Sequence, residues 1–445
     1  MKVIVIGCTH AGTAAVLNIK KLNPNSEIVV YERNDNISFL SCGIALYVCG
    51  VVKDSDGLFY CSPNELEELG VETKMMHNVL KVDIENKLVR VKDLNTGIES
   101  DDHFDKLVIA TGSWPIIPKI KGIELDNILL SKNFNHSNEI ILKAKDAQNI
   151  TIVGAGYIGV ELAEAFEIQG KKVTLIDASE RIMYKYLDKE FTSLAEKAFT
   201  DKGIKLALSQ TVSEFIGEDN KVKKVITCEG TYDTDLVIMC VGFIPNTGLV
   251  KGQVDMMANG AIVLNNYMET SAKDVFACGD CAAVYFNPTK EYKYIPLATN
   301  AIRMGTLVGR NIKKRTVPYI GTQGTSGIKI YDLSISSTGL TEETAKEAKI
   351  NYRSVTVKDN YRPEFMPTYD EAILKIVFNI DTRKIIGGQI LSHIDLTQTM
   401  NTLSVAIQKG MTVEELAFVD FFFQPHFNKP WNLLNLAGLS ALDIK

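Results

Sequence analysis

The sequence predicts an α/β fold with two nucleotide-binding βαβ units, followed by a smaller α+β domain. Two observations predict the paired units: a glycine-rich turn follows a buried hydrophobic run near the N-terminus, and the same pattern returns after residue 148. A third observation separates the last domain, because the composition changes near Pro318 and strand-like segments then alternate with a helical pattern. The 445 residues allow about two to four domains.

The first unit covers residues 2–32 and is predicted as strand, turn, helix and strand. "KVIVIG" is a continuous β-branched run typical of a buried parallel strand, and "SEIVVYE" is a second strand that ends in Glu32. Gly7 is predicted at the tight turn and Gly12 at the contact between helix and strand. Thr9 replaces the middle glycine of the usual fingerprint, so this copy alone is a weak indication of a nucleotide site.

The second unit carries the complete fingerprint, with Gly154, Gly156 and Gly159 before a helix and a strand that ends in Asp177. A pyrophosphate can bind at the start of this helix, because its free N–H groups and its dipole favour anions. Asp177 can accept a hydrogen bond from a ribose 2′-hydroxyl and would repel a 2′-phosphate. No arginine follows it directly, since Arg181 lies further on. We therefore expect NADH rather than NADPH here, with Glu32 in the analogous role at the first unit.

Two further strand endings indicate which nucleotide the first unit binds. "FDKLVIATGS" ends a strand in Ala110, Thr111 and Gly112, and "TSAKDVFACGD" ends another in Gly279 and Asp280. Together with the two glycine turns, these segments make the whole chain resemble the pyridine nucleotide–disulfide oxidoreductase family. In that family both strand endings close around FAD, so the resemblance implies FAD at the first unit and NADH at the second.

The resemblance also implies a domain organisation. Residues 1–115 and 246–318 would form a split FAD-binding domain, residues 116–245 an inserted NAD-binding domain, and residues 319–445 a dimerisation domain. This domain forms a two-fold dimer in the family, so we expect a homodimer.

The implied cofactor contacts extend beyond the glycine turns. For FAD they are Gly7, Thr9, His10, Ala11, Gly12, Glu32, Cys42, Ala110, Thr111, Gly112, Ser113, Lys132, Asp280, Leu297, Ala298, Thr299 and Phe427. For NADH they are Gly154, Gly156, Ile158, Gly159, Asp177, Tyr186, Gly242 and Gly327. By this resemblance Asp280 would contact the ribityl chain, and Phe427 would lie near the flavin of the partner subunit.

Cys42 lies in "NISFLSCGIALYVCG" without the close second cysteine that a dithiol reductase would be expected to have. Tyr47 is five residues further on and Cys49 seven. The segment resembles the single-cysteine branch of the family, which includes NADH oxidases, NADH peroxidases and coenzyme A-disulfide reductases. We expect no Cys42–Cys49 disulfide and a thiol that cycles to sulfenate, with a pKa lowered by a helix N-terminus or a nearby histidine.

His10 lies inside the first glycine turn, "GCTHAG". A helix N-terminus favours a neutral imidazole, which can accept and return a proton near neutral pH. We expect His10 and Cys42 to be the catalytic pair, with His10 as acid–base partner. A hydrogen bond on the phosphate side of the turn is the alternative role.

Two segments favour one activity within this branch. "GCTHAGT" resembles the oxidases, and "DFFFQPHFNKPWN" resembles oxidases and peroxidases, whereas the reductases carry a tyrosine after the proline. The resemblance therefore implies an enzyme that reduces oxygen to water with NADH. NADH peroxidase or coenzyme A-disulfide reductase activity, using the same cysteine, stays open. A redox-sensing NADH-binding protein is the alternative from another class.

Composition and charge argue against several other classes of protein. The net charge of −6 is not that of a nucleic-acid-binding surface. No apolar run approaches the ~20 residues of a membrane helix, and the N-terminus lacks the apolar region of a signal peptide, so a cytoplasmic protein is expected. The eight scattered cysteines are no disulfide framework, and Cys278 and Cys281 lack the second pair that a zinc site would need, so no metal is expected.

Overall fold

The computed structural model describes residues 1–444 of the chain. Residues 1–115 form a nucleotide-binding unit with a small antiparallel sheet attached. Its strands are β1 (Lys2–Ile6), β2 (Glu27–Tyr31), β3 (Glu72–Lys74), β4 (His77–Asp83), β5 (Leu88–Asp93), β6 (Glu99–His103), β7 (Lys106–Ile109) and β8 (Ser113–Pro115). Its helices are α1 (His10–Leu22), α2 (Ile44–Val48) and α3 (Pro63–Glu68), with short 3₁₀ turns at Ser41–Gly43 and Ser55–Leu58.

The second glycine turn and the elements around it lie within residues 116–245. The strands of this range are β9 (Ile128–Leu130), β10 (Asn149–Val153), β11 (Lys172–Ile176), β12 (Lys205–Ala207), β13 (Val212–Glu218), β14 (Lys221–Thr227), β15 (Thr231–Asp233), β16 (Leu236–Met239) and β17 (Phe243–Pro245). Its helices are α4 (Phe134–Ala144), α5 (Tyr157–Ile168) and α6 (Lys189–Asp201).

The remaining elements follow in chain order. Residues 246–318 contribute a 3₁₀ turn (Gly248–Val250), β18 (Val275–Ala277), β19 (Val284–Phe286), β20 (Glu291–Lys293) and α7 (Ala298–Asn311). The C-terminal part contains β21 (Ser326–Ile330), β22 (Leu333–Gly339), β23 (Tyr352–Asn360), β24 (Glu371–Asn379) and β25 (Ile385–Ser392). Its helices are α8 (Glu342–Glu347), α9 (Thr399–Lys409), α10 (Val413–Ala417) and α11 (Leu433–Leu442).

Three five-stranded sheets organise the chain. The first has the order β18–β7–β1–β2–β3 and the second the order β12–β11–β10–β16–β9, and both are parallel. The third, β21–β22–β25–β24–β23, is antiparallel. The predicted α/β fold class with a C-terminal α+β domain is confirmed.

The topology supports the predicted domain division, which stays a prediction. Strand β18, from the segment after the second unit, pairs with β7 and so completes the first sheet. Helix α7 from the same segment packs closely on α1, because glycines leave room for it. A Cβ built on Gly305 would lie 2.2 Å from the carbonyl oxygen of Ala11, and one on Gly309 would lie 2.4 Å from the Cβ of Asn18.

The hydrophobic core of the second unit continues into the C-terminal domain. Phe166 and Phe199 of α5 and α6 belong to one buried cluster with Ile328 of β21 and Ile335 of β22. The parallel sheet of the first unit has its own core around β1, β2 and β7, whereas Ile44 and Val48 of α2 join the cluster of the second unit. The second nucleotide unit and the C-terminal sheet therefore share apolar packing, which limits their relative movement.

Candidate active site

The first glycine turn requires residues without side chains. Gly7 has a φ of +89°, and a Cβ there would lie 2.5 Å from the carbonyl oxygen of Ala110. A Cβ on Gly12 would lie 2.0 Å from the carbonyl oxygen of Gly7. Thr9 is the N-cap of α1, so the free N–H groups of the first helical turn begin directly after the tight bend. This geometry suits a pyrophosphate.

The second glycine turn repeats this geometry. Gly154 has a φ of +106°, and its Cβ would lie 2.3 Å from the carbonyl oxygen of Cys240. A Cβ on Gly159 would lie 1.8 Å from the carbonyl oxygen of Gly154. Gly156 is the N-cap of α5. The two units therefore present equivalent helix N-termini to two nucleotides.

The acid at the end of each second strand binds back to its own glycine turn. The Glu32 carboxylate accepts hydrogen bonds from the Cys8 amide at 2.8 Å and from the Asn34 amide at 3.0 Å. The Asp177 carboxylate accepts equivalent bonds from the amides of Ala155 and Ser179, at 2.6 and 2.7 Å. Burial raises the pKa of Glu32, and the bonds from Asn34 and Cys8 oppose that shift. Each acid is thus held at the end of its strand, beside its own glycine turn.

A partly buried polar cluster joins three distant parts of the chain. The Ser113 hydroxyl donates to the Asp280 carboxylate at 2.8 Å, and Lys132 Nζ lies 2.9 Å from the Ser113 oxygen and 3.2 Å from Asp280. Lys132 also lies over the Phe243 ring, 4.6 Å from its centre. Asp280 is therefore held in place by a hydroxyl and a cation, which suits a carboxylate that contacts a cofactor.

His10 is buried and oriented by Tyr60. Its Nδ1 lies 3.1 Å from the Tyr60 hydroxyl, and the two rings are parallel with centres 5.8 Å apart. Its Nε2 is buried without a hydrogen-bond partner among the described residues. Burial lowers the pKa of His10, with Asp280 opposing this and Lys132 adding to it. His10 is therefore a neutral imidazole with one ring nitrogen free to meet a bound group.

Cys42 lies in the 3₁₀ turn Ser41–Gly43, just before α2. It is exposed, and no disulfide joins it to Cys49 or to any other cysteine, as the sequence predicted. The expected lowering of its pKa is wrong for the protein without ligands. Loss of hydration raises the pKa of Cys42, the carboxylates of Glu161 and Asp280 raise it further, and Lys132 only partly offsets them. The expectation failed because it considered a helix N-terminus or a nearby histidine, and neither the burial of the sulfur nor the carboxylates that the fold brings near it.

Comparison with known proteins places this geometry in a family. The model of the pyridine nucleotide-disulphide oxidoreductases matches residues 1–305, and the dimerisation domain of the same proteins matches residues 325–433. The chain belongs to the pyridine nucleotide-disulphide oxidoreductase family. The predicted family is therefore confirmed.

Individual members are similar over the full length. The chain is 54% identical to an NADH oxidase of Enterococcus faecalis, with 100% of both chains covered. It is 33% identical to an NAD(P)H coenzyme A polysulfide/persulfide reductase of Pyrococcus horikoshii, with 97% of this chain and 96% of that one covered. Among solved structures, the water-forming NADH oxidase of Lactobacillus brevis bound to NADH matches with a TM-score of 0.98 at 51% identity, covering 99% and 98% of the two chains.

The residues fit the FAD and pyridine nucleotide that enzymes of this family use. The cradle at Gly7 and Gly12 would be filled by any side chain, and the buried nitrogen of His10 lacks a partner. Both features suit a flavin nucleotide that passes over the start of α1. The cradle at Gly154 and Gly159 suits the pyridine nucleotide in the same way.

Several other residues predicted to contact FAD have the following surroundings, and their roles stay predictions. Leu297 is the N-cap of α7, so Ala298 and Thr299 begin a helix whose N–H groups are free. Thr111 donates to the carbonyl of Asn246 at 2.5 Å, and Gly112 has a φ of +65°. A Cβ built on Gly279 would lie 2.7 Å from the Cβ of Ala11, so the two residues are in close contact.

The predicted NADH residues gather around the second turn. A Cβ on Gly156 would lie 4.0 Å from the ring of Tyr186, and that ring lies 4.7 Å from the ring of Tyr157. Ile158 is half-buried in α5, and Gly242 has a φ of +102° directly before β17. Gly327 follows Ser326, whose hydroxyl lies 2.7 Å from the Tyr157 hydroxyl. Strand β21 of the C-terminal domain therefore borders this site.

Phe427 does not join the other predicted residues within one chain. Its ring contacts Phe422 and His426, and 63% of the residue is exposed. An exposed aromatic in a dimerisation domain is compatible with the expected contact across a subunit boundary.

The sequence interpretation missed three side chains of the site. Tyr60 orients His10, and burial raises its pKa to about 12. The Tyr294 hydroxyl is buried without a partner among residues 1–444, and its pKa is raised by burial and by nearby Asp280. Burial, and then Glu164, raise the pKa of Glu161 to about 7. The sequence held a signal for Glu161, because an acid in the apolar helix directly after the glycine fingerprint is unusual. No local pattern indicates Tyr60 or Tyr294, which only the tertiary structure brings to the site.

The remaining sequence expectations concern metals and membranes. Cys278 and Cys281 are fully buried, and burial raises the pKa of Cys281 to about 11. Within residues 1–444, no group of three or more histidine, cysteine or acidic side chains could hold a metal ion. None of the helices in that part of the chain is long and apolar enough to cross a bilayer.

Proposed function

We propose that the chain is an FAD-dependent NADH oxidase that reduces oxygen to water through a thiol–sulfenate cycle of Cys42. The observation that carries the proposal is the exposed thiol of Cys42, which forms no disulfide, in a chain that is similar over its full length to NADH oxidases. When bound, FAD accepts a hydride from NADH and passes electrons to oxygen. The protein then has to orient the nucleotides and consume the peroxide.

Cys42 is the group that consumes peroxide. Its thiolate attacks one oxygen of hydrogen peroxide, so an S–O bond forms while the O–O bond breaks, and the departing hydroxide takes a proton to become water. Two electrons from a second NADH reduce the sulfenic acid to the thiol and release a second water. The sum is one oxygen, two NADH and two protons to two water and two NAD⁺.

His10 is the acid–base partner in this cycle. Its neutral state leaves it able to accept the Cys42 proton and return it to the departing hydroxide. The Tyr60 hydroxyl at Nδ1 directs the other nitrogen, Nε2, toward the substrate side. The protonated His10 then supplies the cation that favours a Cys42 thiolate, which the protein without ligands does not favour.

The second nucleotide site favours NADH over NADPH. Asp177 would accept a hydrogen bond from a ribose hydroxyl and repel a 2′-phosphate. Arg181 is already engaged, because its side chain is 5% exposed and pairs with Glu180 and Glu343. It therefore does not offer a free guanidinium to a 2′-phosphate.

The active assembly is a cytoplasmic homodimer in this proposal. The match to a dimerisation domain supports it, and so do exposed aromatic side chains near the C-terminus. These are Phe418, Phe422, Phe423, Phe427 and Trp431. Such side chains are typical of a surface that another subunit covers, and Phe427 would then reach the flavin of the partner subunit.

The ratio of NADH to oxygen consumed tests the proposal. The purified protein is mixed aerobically with NADH, oxygen uptake is followed with an electrode, and hydrogen peroxide is assayed at the end. Water formation requires two NADH per oxygen and no peroxide. One NADH per oxygen with accumulating peroxide would reject it, and NADH consumption that needs added peroxide would identify a peroxidase.

A further inference from the structure

A nine-residue segment, 180–188, lies between β11 and α6 of the second nucleotide unit and carries Tyr186. It begins just after Asp177 and ends at the N-cap of α6. Both of its ends contact the C-terminal domain through buried charged groups that the catalytic cycle does not use.

Asp188 is held at the far end of the segment by Lys375 of β24. Lys375 Nζ lies 3.0 Å from Asp188, 2.7 Å from Glu190 and 3.2 Å from Glu342. The side chains of Lys375 and Asp188 are each only 3% exposed. Burial lowers the pKa of Lys375, but the bonds to Glu190 and Asp188 outweigh this and raise it above the ordinary value. The ammonium group therefore stays charged and neutralises the surrounding carboxylates.

Hydrogen bonds to uncharged donors and acceptors add to this contact. The amide of Asp188 donates to the Gln389 side-chain oxygen at 2.6 Å, and the Gln389 side-chain nitrogen donates to the Asp188 carboxylate at 2.7 Å. The amide of Glu342, at the start of α8, donates to the same carboxylate at 3.1 Å. Asp188 is thereby fixed by two strands and a helix of the C-terminal domain.

Arg181 is held at the near end. Its guanidinium donates to Glu343 of α8 and lies 4.3 Å from the centre of the Tyr184 ring. Because Arg181 is almost completely buried, moving this end of the segment would leave a buried charge without its partner.

The middle of the segment lies against the second glycine turn. The Met183 amide donates to the carbonyl of Ala155 at 2.8 Å, and the Tyr186 amide donates to the carbonyl of Met183 at 2.8 Å. These bonds place the Tyr186 ring over Gly156 and against Tyr157. A displacement of either end of the segment would therefore move Tyr186.

We propose that the C-terminal domain positions Tyr186 for NADH binding, with Lys375 and Arg181 as the positioning residues. This rests on the proposed use of NADH at the second unit. Buried ion pairs of this kind tolerate few alternative arrangements, because breaking one leaves a charge buried without a partner. The dimerisation domain thereby contributes to the affinity for the substrate as well as to assembly.

The test measures the segment and the substrate separately. Lys375→Met removes the cation beside Asp188. Glu343→Gln weakens the contact with Arg181, and it is a milder change than Lys375→Met because Glu343 is half-buried and glutamine has the same shape as glutamate. Tyr331→Phe is the control, because the Tyr331 hydroxyl joins the same two domains through Glu167 without touching the segment. For each variant holoenzyme, hydrogen exchange of amides 183–188, equilibrium binding of NAD⁺ and steady-state NADH oxidation are measured.

We expect faster exchange at amides 183–188, weaker NAD⁺ binding and an NADH KM raised about tenfold for Lys375→Met, with kcat changed less than KM. Glu343→Gln should shift the same quantities by a smaller factor, and Tyr331→Phe should shift none of them. If Lys375→Met does not fold, the Glu343→Gln result decides.

Three results would overturn the proposal. Unchanged exchange would show that the contacts do not hold the segment. Faster exchange with unchanged NAD⁺ binding and unchanged KM would show that the segment does not serve the nucleotide. Equal shifts for Tyr331→Phe would show general loosening of the two domains. A native protein that does not oxidise NADH at all would instead reject the proposed function, whatever the exchange data show.

Discussion

The two glycine-turn units use the same hydrogen bonds but differ in how closely they are packed. Glu32 of the first unit is only 5% exposed, and α7 packs against α1 through glycines. Asp177 of the second unit is half-buried, and Tyr186 beside it is 42% exposed. The first unit suits a cofactor that stays bound, whereas the second suits a substrate that must bind and leave in each cycle.

The two units also differ in the residues at the start of the helix that follows each glycine turn. His10 begins the first helix, where an ordinary phosphate loop needs no titratable group, while Gly156 and Tyr157 occupy the corresponding part of the second. The proposed function therefore assigns the chemistry to the first unit and substrate recognition to the second. The variants below test this division, from the largest expected effect to the smallest.

Matched glycine substitutions should separate the two units. In both Gly7→Ala and Gly154→Ala, the new Cβ would overlap a carbonyl oxygen, and the positive φ adds about 2 kcal/mol of strain. We expect Gly7→Ala to be purified without visible flavin absorbance and with activity lowered more than about 100-fold. Gly154→Ala should keep the flavin and show mainly a raised NADH KM.

Gly248→Ala is the control for this pair, because its Cβ would meet no atom within 4 Å. Flavin spectra and activities of the three proteins are compared. Loss of flavin from Gly154→Ala, or retention of it by Gly7→Ala, would contradict the division between the units.

Replacing His10 should slow the chemistry without releasing the cofactor. We expect His10→Gln to lower kcat about 100-fold, since it removes an acid–base group. Because burial lowers the pKa of His10, the native acid limb of kcat should lie below pH ~6.5, and His10→Gln should abolish it. Tyr60→Phe should have a smaller effect of the same kind, because it removes only the orienting hydroxyl.

Steady-state pH profiles of the three proteins check this prediction. A native-like acid limb in His10→Gln would assign the limb to another group. A Tyr60→Phe enzyme slower than His10→Gln would contradict the orienting role of Tyr60.

Replacing the half-buried acid Asp177 should change nucleotide preference. Asp177→Ala loses the ribose contact and the repulsion of a 2′-phosphate, so we expect NADH kcat/KM to fall about tenfold while NADPH kcat/KM rises. Steady-state kinetics with both nucleotides measure the ratio. An unchanged ratio would show that Asp177 serves only the bonds to Ala155 and Ser179.

Glu161 should make stability depend on pH. The folded-state pKa of Glu161, about 7, lies above the ordinary value, so protonated Glu161 stabilises the folded state. This stabilisation is fully present at acid pH and is lost as the pH rises through 7. We expect Glu161→Gln to increase the free energy of unfolding by about 1 kcal/mol at pH 8, with little difference at pH 4.5.

Urea unfolding at the two pH values measures this effect. Glu139→Gln on α4 is the control, because Glu139 is exposed and should change neither value. An increase of equal size at both pH values would show that ionisation of Glu161 is not the cause.

The sequence predicted what depends on local patterns. Strands β1 and β2 and helix α1 lie where the hydrophobic runs and the glycines indicate, because a parallel strand buries both faces and a tight turn requires glycine. The fingerprint likewise predicted β10, α5 and β11. Here each feature is determined by residues within about one βαβ unit.

The sequence could not predict contacts between distant segments. Tyr60 lies 50 residues from His10, and nothing in the pattern around it distinguishes it from a surface tyrosine. The pKa of Cys42 was predicted in the wrong direction, because the fold buries the thiol and brings Glu161 and Asp280 near it. Nothing in the strand pattern around Lys375 indicates that its side chain is buried among carboxylates, because those carboxylates come from distant segments.

Peroxide release by Cys42→Ser tests the central proposal most directly. The variant keeps the nucleotide units, so it should retain flavin and oxidise NADH, while the missing sulfur leaves peroxide unconsumed. Oxygen uptake, NADH consumption and hydrogen peroxide are measured together, with Cys49→Ser as the matched control. We expect about one NADH and one peroxide per oxygen for Cys42→Ser, and about two NADH and no peroxide for the control. If Cys42→Ser still forms only water, Cys42 is not the group that consumes the peroxide.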